Sequence, residues 1–246
     1  MISHRSVEDA SGYLSHLEEL RTRLLYSLLA VAVGIVAGWL LADHVYWLLA
    51  GPIVANVRAH GGQIITLHPA EVFFMRMKMS MVLGVILASP VIIGQLWGFV
   101  RPGLTPREQR AVRPLLPAIC LLFLAGAGVA YWMMPGILAF FQSQTFPEVT
   151  PTVNLQNSID FPLKILLAFG LGFQLPIVML GLVWLGVLTP GMLLGQWRTA
   201  VVIMAMLAAV ITPTGDPFTW SCLFIPLLLL YFGTIWLAAR MARPAR

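Results

Sequence analysis

The chain is 246 residues long, 59% apolar and only 10% charged, with a mean hydropathy of +0.86 and a net charge of +5. Roughly a quarter of an ordinary soluble domain is charged, so this chain cannot cover itself with polar surface, and a soluble globular class is excluded. No basic cluster is interleaved with aromatics, so the pI near 9.7 speaks for anionic lipid and against nucleic acid as the counterpart.

The first 23 residues carry Glu8, Asp9, Glu18 and Glu19 in place of a basic segment leading straight into a short apolar core, so no cleaved signal peptide is expected. Within Tyr13 to Leu25, YLSHLEELRTRLL, the apolar residues Tyr13, Leu17, Leu20 and Leu24 recur at helical spacing, with Glu18, Glu19, Arg21 and Arg23 between them. This pattern predicts an amphipathic helix running into the first span. Glu19 and Arg23 are spaced to pair across one helical turn, which alone makes the segment an interfacial stop. Acidic residues at an anionic membrane edge also suit a binding role.

Leu24 to Ala42 is the first charge-free run long enough to cross ~30 Å of hydrocarbon at 1.5 Å per residue. Met79 to Val100 is the second. Between the second and third runs lies RPGLTPREQRAVR, Arg101 to Arg113, which sets one carboxylate, Glu108, among arginines. Glu108 is either a helix-start charge after Pro106 or, with Glu19, half of a paired acceptor of the planar kind that receives guanidinium.

Pro114 to Met134 gives the third span and Ile165 to Val187 the fourth. Inside the fourth, FGLGFQLPIVML puts Gln174 two residues before Pro176. A proline there leaves a carbonyl unpaired and kinks the helix, and an amide in hydrocarbon serves as glue between helices or faces a polar hollow. Thr199 to Ala239 has Asp216 as its only charge and is too long for one crossing. Ile211 to Pro217, ITPTGDP, breaks it into a hairpin of two short helices, about 199–211 and 218–239. Asp216 is a turn-stabilising residue or a site near the outer face.

The fold class is therefore all-α: one polytopic membrane domain over 1–246 with six spans, the last two short. Eleven arginines fall in the N-terminal segment, the second-to-third and fourth-to-fifth connections and the tail, against at most Arg58, Arg76, Lys78 and Lys164 on the other side. Both termini are thus expected in the cytoplasm. Cys120 and Cys222 sit in apolar runs and behave as small hydrophobes. The five histidines have no metal-ligand spacing and there is no phosphate loop, so no cofactor and no metal are expected.

His16-Leu17-Glu18-Glu19-Leu20-Arg21-Thr22-Arg23-Leu24 resembles the HLxELRxRL signature of the TatC family, the multi-spanning receptor subunit of the twin-arginine protein translocase. Ser89 to Phe99, SPVIIGQLWGF, is similar to that family's APxxxxQxWxF segment and is followed at family spacing by Pro102, Leu104 and Glu108-Gln109-Arg110. Phe169 to Pro176 and Thr212 to Phe218 resemble its fourth-helix and fifth-to-sixth-turn motifs. Together the matches extend from about residue 7 to 239. The resemblance implies binding in place of covalent chemistry: capture of the Arg-Arg pair of signal peptides on folded cargo in a bacterial inner membrane. It also implies work with TatA-type and TatB-type single-span partners in an oligomeric assembly driven by the proton-motive force. Glu19 and Glu108 match the acidic positions that hold the twin arginines. Arg21, Phe99 and Pro52 match further important positions, Pro52 in an external cap formed by the first outer loop. Gln174 stands where the family commonly has glutamate, and it carries neither charge nor proton. A secondary transporter of small solutes is the competing reading, motivated by Gln174 beside Pro176 and by Pro90, although no internal repeat supports it.

Overall fold

The computed structural model describes residues 4–146, 150, 152–212 and 214–241, with side chains described from residue 16 onward except at 107, 111 and 241. The expectations placed on Glu148, Pro213, Arg243 and Arg246, and on the side chains of Arg5, Tyr13 and Arg107, lie outside the described residues.

In chain order the elements are α1 (His4–Ala59), β1 (Gln63–Ile65), α2 (Glu71–Val100), a 3-10 turn (Arg101–Gly103), α3 (Pro106–Val112) and α4 (Leu115–Ser143). They continue with β2 (Thr152–Asn154), α5 (Leu155–Gly172), α6 (Leu175–Trp184), α7 (Pro190–Gly195), α8 (Trp197–Ile211) and α9 (Pro217–Met241). Among the described residues, five helical stretches are long and apolar enough to cross a membrane: His16–Ala59, Glu71–Gly103, Glu108–Ser143, Leu155–Trp184 and Pro217–Arg240. Trp197–Ile211 is a shorter apolar helix.

Two compact units are distinguished. The first comprises the chain up to Ala42 with Arg76–Gln109. Its helices meet through small residues: a Cβ on Gly34 would lie 2.5 Å from the Gly84 carbonyl oxygen, and one on Gly38 would lie 2.8 Å from that of Ser80. Without a hydrophobic drive between helices in lipid, such close backbone approach is what holds a pair together.

The second unit comprises Asp43–Met75 and the chain from Arg110 onward. Its core is formed by Ala130, Met134 and Ile137 of α4, Ile165, Ala168 and Phe169 of α5, Met204 and Ala208 of α8, and Leu223, Leu227 and Tyr231 of α9. β1 and β2 pair in parallel, with Gln63 opposite Thr152 and Ile65 opposite Asn154. Three-residue strands in the connections between long apolar helices carry no pattern of their own, and the sequence reading contained no strand.

Several expectations are corrected here. Pro52 does not lie in a loop after the first span; it is inside α1, which continues to Ala59. Leu49, Ala50, Ile53, Val54 and Val57 are all buried along one face of that helix, and their packing outweighs the proline's local cost. The fourth span, one apolar stretch from Leu155 to Trp184, is interrupted and not merely kinked before Pro176: α5 ends at Gly172 and α6 begins at Leu175. The last helix is not short: α9 has 25 residues, ~37 Å at 1.5 Å per residue. α8, with 15 residues, is ~22 Å long and remains short.

Candidate functional site

The first unit builds a polar cluster around Glu19. Arg23 lies one turn along α1, so the two side chains share a face, and its guanidinium donates from Nε (2.9 Å) and Nη2 (2.6 Å) to Glu19 Oε1. Its third nitrogen, Nη1, is 3.4 Å from Gln95 Oε1 on α2. The guanidinium lies against the backbone of Gly98, where a Cβ would come within 2.0 Å of Nη1. On the other side of the carboxylate, His16 Nδ1 is 3.8 Å from Glu19 Oε2. The His16 ring stacks on Phe99 with centroids 4.4 Å apart and planes at 18°. Glu19, Arg23, Gln95 and Phe99 are half-buried and Arg21 is exposed. Sequence spacing anticipated the Glu19–Arg23 pair. It did not anticipate Gln95 or Gly98, because contact between separate helices leaves no periodic signal.

Glu108 is held differently. Thr105 precedes α3, Pro106 starts it and Glu108 is its third residue, the S/T-x-x-E arrangement in which cap and acid satisfy each other's backbone. Glu108 Oε2 accepts from the Thr105 amide (2.7 Å) and hydroxyl (2.8 Å), and the Glu108 amide is 3.4 Å from Thr105 Oγ1. Thr105's backbone amide and then its hydroxyl hold the Glu108 carboxyl below its ordinary value. Gln109 fixes the preceding turn by donating from Nε2 to the Arg101 and Leu104 carbonyls, both at 3.0 Å. The described contacts of Glu108 are with Thr105 and those of Glu19 are with Arg23 and His16, so the structure gives the two acids separate anchors.

In the second unit, Gln174 occupies the break between α5 and α6. Pro176 has no amide hydrogen, and the chain tightens there, the Gln174 amide donating to Leu171 at 3.0 Å. Gln174 Nε2 donates to the Ile119 carbonyl of α4 (3.1 Å) and to the Gly170 carbonyl (3.3 Å). Its Oε1 is buried without a partner among the described residues. Asp216 caps α9: Oδ1 accepts from the Thr219 amide at 2.7 Å and Oδ2 from the Thr214 hydroxyl. Burial pushes the Asp216 carboxyl up, but these donors outweigh it and hold the group below its ordinary value. Gly215, at φ +61°, supplies the left-handed backbone the turn needs. The turn-stabilising reading of Asp216 accounts for all of these bonds.

Sequence reasoning missed Glu71, a buried carboxylate at the start of α2. Its Oε2 accepts from the Leu67 amide at 2.9 Å. Burial raises its pKa, and the Leu67 amide, the Asn154 side chain and the His68 amide together bring it below the ordinary value. Glu71 therefore ties the segment after β1 to the end of β2. An acid after a proline at a helix start was the available signal.

Residues 15–226 match the family model described as TatC, Sec-independent protein translocase protein. The chain belongs to the TatC family. A TatC protein of Aquifex aeolicus is 38% identical over 231 residues, covering 93% of this chain and 95% of that protein. The chloroplastic TATC of Arabidopsis thaliana is 36% identical over 229 residues, and the chain spans 66% of that longer protein. A crystal structure titled as the twin-arginine translocase receptor TatC superposes with a TM-score of 0.76 at 38% identity, covering 91% of this chain and 99% of the other. With its long apolar helices, this TatC-family chain is a polytopic membrane protein of the Sec-independent translocation machinery.

Proposed function

We propose that this chain is the receptor core of a twin-arginine translocase, capturing the Arg-Arg pair of signal peptides on folded cargo at a cytoplasmic surface built around Glu19 and Glu108. The observation that carries the reading is the Glu19 cluster: a carboxylate that already pairs with a guanidinium, bordered by the His16–Phe99 stack. A carboxylate's two oxygens receive a planar fork in a way that lysine's compact ammonium does not match. Glu19 and Glu108 take one arginine each, Phe99 lends an aromatic face beside them, and Arg21 adds an exposed charge at the rim. The protein acts by binding, with no covalent step.

Six spans with both termini in the bacterial cytoplasm complete the reading, and residues 1–246 work as one membrane domain. α8 is the short fifth crossing, which crosses where the bilayer thins or neighbouring helices shelter it. Pro52 shapes the outer end of α1. Gln174 faces a polar recess or a partner helix, and the chain works with single-span proteins of the TatA and TatB type in an oligomeric assembly driven by the proton-motive force. Crosslinking of a twin-arginine signal peptide in native membranes tests the function, with a Lys-Lys peptide as control. Specific adducts at α1 and α3 for the Arg-Arg peptide alone support it, and equal adducts for both peptides contradict it. Reporter fusions after Arg246 and within Arg101 to Arg113 should both read cytoplasm, and one near Glu148 should read outside.

A further inference from the structure

We infer that Arg23 is an internal competitor for the ligand arginine, occupying Glu19 in the unliganded receptor and setting how tightly a signal peptide is held. The inference rests on the proposed role of Glu19. A carboxylate offers about four lone-pair positions, and Arg23 fills both on Oε1, at 2.9 and 2.6 Å. A fork-to-fork pair needs both oxygens in one plane, so an incoming guanidinium finds half of its acceptor taken. It must exchange with Arg23.

Three features make Arg23 a built occupant. Its side chain is held at both ends, by Glu19 and by Gln95 Oε1 at 3.4 Å. Its path is open only because residue 98 is glycine, since a Cβ there would come 2.0 Å from Nη1 and 2.7 Å from Cζ. The pair is also part-buried, with the side chains 28% and 34% exposed, so water does not fully screen it. After displacement, Gln95 remains as an acceptor for the guanidinium, so the exchange leaves no charge stranded.

An occupied acceptor lowers the apparent affinity of every ligand that needs it by one common factor, the fraction of receptors in which Glu19 is open. A receptor that must later pass its cargo to the transport step gains a fast release from this arrangement. Arg23 thereby acts on the strength and lifetime of binding.

The test measures the affinity of an Arg-Arg signal peptide for the full-length protein in nanodiscs, comparing Arg23→Gln, Arg23→Lys, Gly98→Ala and Glu19→Gln. Removing a part-exposed ion pair should tighten binding about two- to fivefold in Arg23→Gln. Arg23→Lys keeps the charge without the fork, and Gly98→Ala keeps the arginine but displaces it. Both should also tighten binding, with slower peptide dissociation. Tightening in Arg23→Gln alone would reduce the effect to general charge repulsion and overturn the inference. Weaker binding in Arg23→Lys and Gly98→Ala, with melting temperatures at the wild-type value, would make Arg23 a support for Glu19 and overturn it as well. Glu19→Gln separates the two readings: if it leaves peptide affinity unchanged, the proposed role of Glu19 fails, whereas a loss there with no gain in the Arg23 variants removes only the competitor.

Discussion

Two carboxylates that look alike in the sequence, each set among arginines, are held in unlike ways. Glu19 is anchored by a charged partner on its own helix, with Gln95 and Gly98 of α2 fixing that partner. Glu108 is anchored by the cap of a short helix and uses a single oxygen for both Thr105 donors. On the proposed reading, a ligand arginine would meet a rival at Glu19 and a neutral hydroxyl and amide at Glu108. Removal of either acid therefore tests different physics, and the variants must be chosen accordingly.

The largest effect is expected at Glu19. Glu19→Ala removes a partly desolvated acceptor and should weaken Arg-Arg peptide binding about tenfold or more, read by titration with labelled peptide. Glu108→Gln should cost about tenfold while leaving α3 in place, because glutamine also closes a capping box. Thr105→Ala sharpens the contrast from the other side. It should lower stability by about 0.5–2 kcal/mol, as loss of a helix cap does, with peptide affinity within about threefold of wild type.

Gln174→Leu tests the second unit against the first. The substitution removes two donated hydrogen bonds but also an unpartnered buried acceptor, so net stability should shift by no more than about 1–2 kcal/mol. Peptide binding should be unchanged and transport impaired. A leucine variant with full transport would reduce Gln174 to packing.

The smallest effect expected is on pH dependence. Glu71 and Asp216 are both held below their ordinary values, so each contributes stability that is fully present above that value and is lost as pH falls through the folded one. With ordinary values of 4.5 and 3.8, melting temperature should be flat near neutrality and fall below about pH 4.5. Glu71→Gln should flatten the upper part of that fall.

How much was legible follows from the range of each interaction. The α1 amphipathic start, the four long apolar runs and the break at ITPTGDP are local patterns, and α1, α2, α4, α8 and α9 follow from them. TPRE is a local capping signature, which is why the helix-start reading of Glu108 was already open. Pro52 and Gln174 were harder, since a proline's local preference is overruled by buried Leu49, Ile53 and Val57 in one place and prevails at Pro176 in the other. Nothing in the sequence chose between them. The β1–β2 pair, the Glu71 tie and the Arg23–Gln95–Gly98 contact join residues far apart in the chain, so only the folded backbone discloses them.

If Glu19 and Glu108 act together on one guanidinium-bearing ligand, as proposed above, a double-mutant cycle will reveal the coupling. Affinities of Arg-Arg and Lys-Lys signal peptides are measured for the wild type, Glu19→Gln, Glu108→Gln and the double variant. Losses of about tenfold or more are expected for each single variant with the Arg-Arg peptide. The double variant should show a loss that departs from the sum of the two, and losses should be smaller for Lys-Lys. Additive losses below tenfold, equal for the two peptides, would contradict the coupling and leave both glutamates as ordinary surface charges.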